Sequence, residues 1–178
     1  MVNLNCFGQV KGSIIDERDS TLYGTVTIDS LIWMTDNLNF DTLGAVQYPD
    51  SCEACGLLYS YSSAKNACPT GFRLPLISEW NDLFTSLGGE LEIEDFGLYY
   101  HGIKDTLQSS ELLELRYCGL HNFEMNTFNY CGTYSAYWHL NNNEFKAIHF
   151  EKSQYSDWVG TANGDQYTGF SVRCVKDM

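Results

Sequence analysis

The chain has 178 residues, a length that fits one domain, and its 44% apolar and 19% charged residues are typical of a globular protein rather than a disordered one. Its 23 acidic residues outnumber 10 basic ones and give a net charge of −13, which argues against nucleic acid or an anionic membrane surface as a partner. No apolar run is long enough for a transmembrane helix, so no membrane insertion is expected, and the N-terminus lacks the features of a signal peptide.

The first predicted elements form a β-hairpin. Residues 23–28 alternate in the pattern of a strand, residues 31–34 form a second short strand, and Asp29-Ser30 supplies a tight turn between them. A helix is then predicted over residues 57–67, which contain no glycine and no proline.

The clearest predicted helix covers residues 78–87. Trp80, Leu83, Phe84 and Leu87 recur at helical spacing and form one apolar face, with Ser78 as the predicted cap and Gly88 as the stop. The acidic segment 90–95 is predicted to be a solvated loop. Strands are predicted over 113–117, 134–140, 145–150 and 170–174, so the pattern of early helices and later strands indicates an α+β fold.

Seven cysteines are many for a chain of this size and indicate an oxidising compartment. Cys118 and Cys131 flank a loop between two predicted strands, and a disulfide between them is preferred over two buried thiols. Cys52 and Cys55 form a CxxC pair that could close a small ring, and the sequence leaves that alternative open. The odd count leaves one cysteine over, for which Cys6 is the candidate.

Several motifs together resemble the Fibrobacter succinogenes major paralogous domain family. They are the strand at 23–28, Trp33-Met34, Cys68-Pro69-Thr70-Gly71 followed by Arg73-Leu74-Pro75 and Glu79-Trp80, and the C-terminal segment 169–177. The order and spacing match from about residue 14 to the end of the chain.

The resemblance implies a C-type-lectin-like fold, with two helices packed on small twisted antiparallel sheets and long loops. It divides the chain into an N-terminal extension, residues 1–13, and a single domain, residues 14–178. It also implies a Cys68–Cys174 disulfide and a bacterial protein that is extracellular or displayed on the cell surface.

The same fold is used by formylglycine-generating enzymes, which bind copper through a pair of cysteines near the C-terminus. Here Cys174 is the one cysteine in that region, and no histidine has metal-ligand spacing, so the chain is predicted not to be an enzyme. No cofactor is expected. Calcium is the one ion that the acidic and amide side chains would suit, through their oxygen atoms.

Two segments have the composition of a ligand-binding surface. The first is Trp138 with the polar residues Asn141, Asn142, Asn143 and Glu144, for which a polar turn is the structural alternative. The second contains Tyr155, Asp157, Trp158, Asn163 and Asp165. Trp158 could stack on a sugar ring, and its alternative role is in the core.

The sequence therefore favours a non-catalytic binding module that recognises a glycan or another cell-surface polymer, as expected for an adhesion protein. The alternatives are a protein-binding receptor-recognition tip of the variable phage or bacterial type, and a structural subunit of a surface assembly.

Overall fold

The computed structural model describes residues 10–49, 55–94, 97–109, 112–142, 145–152 and 158–178. Within these ranges there are fourteen strands and three helices, none of the helices longer than ten residues. The predicted α+β fold with two helices on small sheets is therefore wrong, because most of the regular structure is β and one of its two sheets has ten strands.

A four-stranded antiparallel sheet joins the two ends of the described chain. Its strands are β1 (Lys11–Ile15), β2 (Leu22–Ile28), β3 (Leu31–Met34) and β14 (Val175–Asp177), in that order. The predicted hairpin is confirmed as β2 and β3, which turn at Asp29 with a positive φ of 53°. Because β1 begins at Lys11 and pairs with β2, regular structure starts before the expected domain boundary at residue 14.

The large sheet contains the remaining ten strands. Its order is β4-β5-β13-β8-β10-β11-β12-β7-β6, with β9 paired to β8. The bounds are β4 (Ala45–Gln47), β5 (Leu57–Ser60), β6 (Glu90–Glu94), β7 (Gly97–His101), β8 (Cys118–Asn122), β9 (Thr127–Cys131), β10 (Tyr134–Trp138), β11 (Lys146–Glu151), β12 (Val159–Asn163) and β13 (Thr168–Phe170). The acidic segment that was predicted to be a loop is thus the edge strand β6.

The three helices are α1 (Tyr61–Ala67), α2 (Ile77–Ser86) and α3 (Lys104–Gln108). The helix predicted over 78–87 is confirmed as α2, with Trp80, Leu83 and Phe84 buried on one face. Ser78 is not its cap; instead the Glu79 carboxylate accepts a hydrogen bond from the Leu76 backbone N–H at 2.7 Å. Gly88, with φ of +83°, provides the left-handed stop.

Three other predicted elements differ from the structure. No strand covers residues 170–174, because β13 ends at Phe170 and β14 begins at Val175. Residues 57–67 are strand β5 followed by α1, because the apolar start of this segment pairs with β4 and β13. Residues 113–117 form no strand, since Glu114 has a positive φ of 50° that interrupts an extended chain.

The core is divided into two main clusters on opposite faces of the large sheet. One packs α2 and α3 against Tyr100, Tyr137, Ile148, Phe150 and Val159. The other surrounds Trp138 and Tyr59 and includes α1. Each cluster is large enough to fix the strands that cross it, because burial of one such side chain contributes about 1.5–3 kcal/mol.

Arg173 is a buried cation that connects three segments of the chain. It is 1% exposed, and its guanidinium donates hydrogen bonds to Met34 O at 3.2 Å, Leu113 O at 2.8 Å and Asn37 Oδ1 at 2.5 Å. Burial lowers the pKa of this guanidinium. Its acceptors are carbonyl and amide oxygens, so Arg173 satisfies buried backbone groups rather than forming an ion pair with them.

The disulfides confirm one prediction and correct two. Cys68 is bonded to Cys174, as the resemblance implied. Cys55 is bonded to Cys118, so the expected Cys118–Cys131 and Cys52–Cys55 pairs are both wrong, and Cys131 is itself disulfide-bonded. Cys118 and Cys131 do lie opposite each other on β8 and β9, but the Cys118 sulfur is joined to Cys55 instead. Cys6 and Cys52 lie outside the described residues.

Candidate functional site

Five aromatic side chains form a continuous line on the large sheet, beside the cluster that surrounds Trp138. We call this line the aromatic row, and its members in order are Tyr99, Trp158, His149, Tyr134 and Tyr130. Successive ring centroids are 5.0, 5.1, 5.6 and 6.2 Å apart. These distances are those of directly packed rings.

The strand register places four of these residues, Tyr99, Trp158, His149 and Tyr134, on one face. His149 pairs with Gly160, which pairs in turn with Tyr99. Trp158 lies two residues before Gly160, and Tyr134 pairs with Glu151, two residues after His149. Since alternate residues of a strand point to the same side, all of these positions share a face. The opposite face carries the core residues that pack on α2.

Gly160 makes room for the row at its centre. A Cβ at this position would lie 2.7 Å from a Tyr99 ring carbon and 3.4 Å from His149 Nε2. The first distance is far shorter than an ordinary contact, so Tyr99 occupies the space that a side chain would need.

The two ionisable rings in the middle of the row are held uncharged. Burial lowers the pKa of His149 to about 4, and its Nδ1 has no hydrogen-bond partner among the described residues. Burial, and secondarily the charge of Glu151, raise the pKa of Tyr134 to about 12. At neutral pH the row therefore presents neutral rings rather than groups ready for proton transfer.

Tyr130 extends the row into solvent from a strained backbone. Its side chain is 63% exposed, and its φ is 66°, a conformation that bulky residues seldom adopt. The Thr133 N–H and hydroxyl both donate to Tyr130 O at 3.0 Å and hold this turn closed. Strain at an exposed aromatic residue is typical of a functional position.

Trp138 is not available as a ligand-binding residue. It is fully buried, its Nε1 donates to Tyr59 O at 2.7 Å, and its ring packs on Phe170 at 4.6 Å. Trp138 ends β10 inside the second core cluster, where its side chain packs among buried residues.

Two polar residues predicted together with Trp158, namely Asn163 and Asp165, lie apart from the aromatic row. Asn163 is five residues beyond Trp158 along β12, which is about 17 Å of extended chain. Asn163 Oδ1 accepts from Lys146 Nζ at 2.6 Å, and Asp165 Oδ1 closes a turn by accepting from Thr168 Oγ1 at 2.6 Å. These two side chains support local structure at the other end of the strand.

The remaining predicted residues give a mixed outcome. Asn141 contacts the Tyr61 hydroxyl through its backbone, and Asn142 is exposed. Asn143, Glu144, Tyr155 and Asp157 lie outside the described residues. Trp158 is thus the predicted site residue that the structure places in the aromatic row. Its four partners were missed, although a glycine inside the β12 pattern is a signal of close approach.

Among the described residues, no group of three or more His, Cys, Asp or Glu side chains is placed to hold a metal ion. None of the helices in these ranges is long and apolar enough to cross a membrane.

These features define a class of protein: a mostly β domain that carries an aromatic row on its large sheet. The model of the Fibrobacter succinogenes major domain matches residues 26–176, and the chain belongs to that family. The match begins within β2 and ends within β14, so it includes the whole aromatic row. No curated protein and no solved structure matches the chain.

Proposed function

We propose that this chain is a non-catalytic binding module that recognises a glycan through the aromatic row. The observation that carries the proposal is the unbroken contact of five rings, four of them half-buried on one sheet face and the fifth exposed. Tyr and Trp offer apolar faces for contact and polar edges for hydrogen bonds. Because these side chains have few rotatable bonds, fixing them when a ligand binds costs little conformational entropy.

The dimensions of the row favour an extended ligand. Tyr99, Trp158, His149 and Tyr134 come from four neighbouring segments, which span roughly 14 Å at about 4.8 Å between neighbouring strands, and Tyr130 on β9 extends the line beyond them. A polymer of sugar rings could contact several members at once, whereas a single small molecule would contact one or two.

The proposal includes a location outside the cell or on its surface. Two disulfides join distant parts of the chain, Cys55 to Cys118 and Cys68 to Cys174, and such bonds persist in oxidising compartments. This supports an exported protein, whose ligand would be a cell-surface or extracellular polymer.

A glycan array probed with the oxidised protein, with calcium and with chelator, tests the proposal. We expect selective binding that chelator does not change, because ring contacts need no metal. Trp158→Ala should then weaken binding of the selected glycan at least tenfold, about 1.4 kcal/mol. Tyr167→Ala is the matched control, since it removes a 37% exposed aromatic side chain outside the row.

Two results would contradict this function. Equal affinity of wild type and Trp158→Ala would remove the row from the site. A blank array would exclude the glycan ligand and favour a protein receptor or a structural role in a surface assembly, which pull-down from surface fractions would separate.

A further inference from the structure

A carboxylate stands beside the aromatic row near each of its ends. Glu92 on β6 is directly opposite Tyr99, and Glu151 on β11 is directly opposite Tyr134. Residues opposite each other in antiparallel strands share a face, with Cβ atoms about 5 Å apart. The Glu92 side chain is 59% exposed and Glu151 is also exposed, so both carboxylates border the surface that a ligand would cover.

The other charged groups on this part of the sheet do not reverse the negative charge of the surface. Glu90 adds a further carboxylate on the same face, opposite His101, whose Nε2 lies 3.1 Å from Glu92 Oε2. Lys104 is 8% exposed, with its Nζ 3.5 Å from the Glu151 backbone oxygen. Lys152 is the exposed cation next to the row. Three exposed carboxylates therefore outweigh it, on a chain whose net charge is −13.

Aromatic faces and carboxylates attract the same kind of ligand group. The face of an aromatic ring carries negative partial charge and attracts a cation by about 0.5–2 kcal/mol. A carboxylate near the same position adds a direct charge interaction, whereas an anionic ligand would meet repulsion from both.

We propose that the ligand of the aromatic row is a glycan that carries protonated amino groups, and that the row rejects glycans built from uronic acids. This inference rests on the proposed function and adds the chemical class of its ligand. Glu92 and Glu151 are assigned as the main residues that determine charge selectivity, while the rings supply contact area and a further attraction for the cation.

Three oligosaccharides of equal length test the inference by calorimetry at about pH 6, where glutamate is ionised. They are β-1,4-linked glucosamine, its fully N-acetylated counterpart, and an oligogalacturonate. The first two share a backbone and differ in charge at each amine. We expect the glucosamine oligomer to bind about fivefold or more tightly than the acetylated one, and the galacturonate not to bind.

The preference should depend on salt and on the two carboxylates. Raising the salt from about 0.05 M to about 0.5 M should reduce it strongly, because exposed charges are screened at that concentration. Glu92→Gln with Glu151→Gln should remove most of the preference for the glucosamine oligomer, while binding of the acetylated oligomer is retained. The control pair Glu17→Gln with Glu124→Gln changes the net charge equally, at exposed positions outside the row, and should leave the preference intact.

Each outcome separates the inference from the proposed function. Equal affinity for the free and acetylated oligomers, or a preference that the control pair also abolishes, would overturn the assigned ligand class and leave glycan binding standing. Tighter binding of the galacturonate than of the glucosamine oligomer would overturn the assigned ligand class as well. Failure of all three oligomers to bind, together with a blank glycan array, would overturn both.

Discussion

Gly160→Ala is the sharpest test of the aromatic row, because it changes one methyl group beneath the rings. The new Cβ would lie 2.7 and 2.8 Å from two carbons of the Tyr99 ring, whereas an ordinary carbon contact is about 3.5–4.0 Å. The ring must therefore move by about 1 Å, away from its contact with Trp158. His149, at 3.4 Å, needs little or no adjustment.

The size of the effect follows from two opposing contributions. Overpacking costs about 1–3 kcal/mol, and the low end applies here because the half-buried Tyr99 ring can swing towards solvent. Replacing glycine also reduces the entropy of the unfolded chain, which stabilises the fold by about 0.4–1 kcal/mol. We expect a net loss of up to about 1 kcal/mol, with glycan affinity reduced about tenfold because the row is broken between Tyr99 and Trp158.

A double-mutant cycle measured by urea unfolding separates the steric contribution. In the Tyr99→Ala background the space above residue 160 is empty, so Gly160→Ala should be neutral or slightly stabilising. The coupling between the two substitutions should therefore be about 1–2 kcal/mol. An equal effect of Gly160→Ala in both backgrounds would show that Tyr99 does not pack over Gly160, and the central contact of the row would be refuted.

Four further predictions concern stability. Replacing Cys68 and Cys174 by alanine opens a loop with a sequence separation of 106 and should cost about 5 kcal/mol in the chain-entropy model, seen as a lower urea midpoint; an unchanged midpoint would contradict it. The pKa of His149 falls from 6.5 when unfolded to about 4 when folded, so wild type should lose up to roughly 3 kcal/mol as pH drops from 6.5 to 4, and no more from this group below that. His149→Phe should lose less over that window, and parallel pH profiles of the two proteins would contradict the shift. Tyr130→Gly should raise the free energy of unfolding by about 1 kcal/mol through relief of strain while weakening glycan binding, and a destabilised variant would argue against the strain. Arg173→Met should destabilise by roughly 3 kcal/mol or more, because it leaves three buried oxygen acceptors without a donor; a loss below about 1 kcal/mol would contradict that role.

Local patterns in the sequence predicted the local structure well. The spacing of Trp80, Leu83 and Phe84 located α2 and its buried face, and the turn residue Asp29 located the first hairpin. Family resemblance, rather than any local pattern, supplied the Cys68–Cys174 bond. The fold class was predicted wrongly because many of the strands are three to five residues long, and such short segments show little alternation.

The composition of the site could not be predicted from local patterns. Trp158 was recognisable as an aromatic residue in a polar segment, but Tyr99 precedes it by a long stretch of chain that includes four other strands. The two meet because β7 pairs with β12, and no short-range signal specifies that pairing. The cysteine assignments failed for the same reason, since Cys55 meets Cys118 across a sequence separation of 63.

The same strands that display the aromatic row are anchored in the core through alternate residues. His149 lies between Ile148 and Phe150, which are 0% and 1% exposed, and Tyr99 is followed by Tyr100, which is 4% exposed. The rings of Tyr99, His149 and Trp158 therefore rise from a backbone that is fixed on its other face by packing against α2 and α3. A surface held in this way loses little entropy when a ligand binds, which favours affinity without new contacts. It also means that truncating a ring removes contact area while the core beneath remains intact, so loss of binding in these variants would report on the site rather than on unfolding.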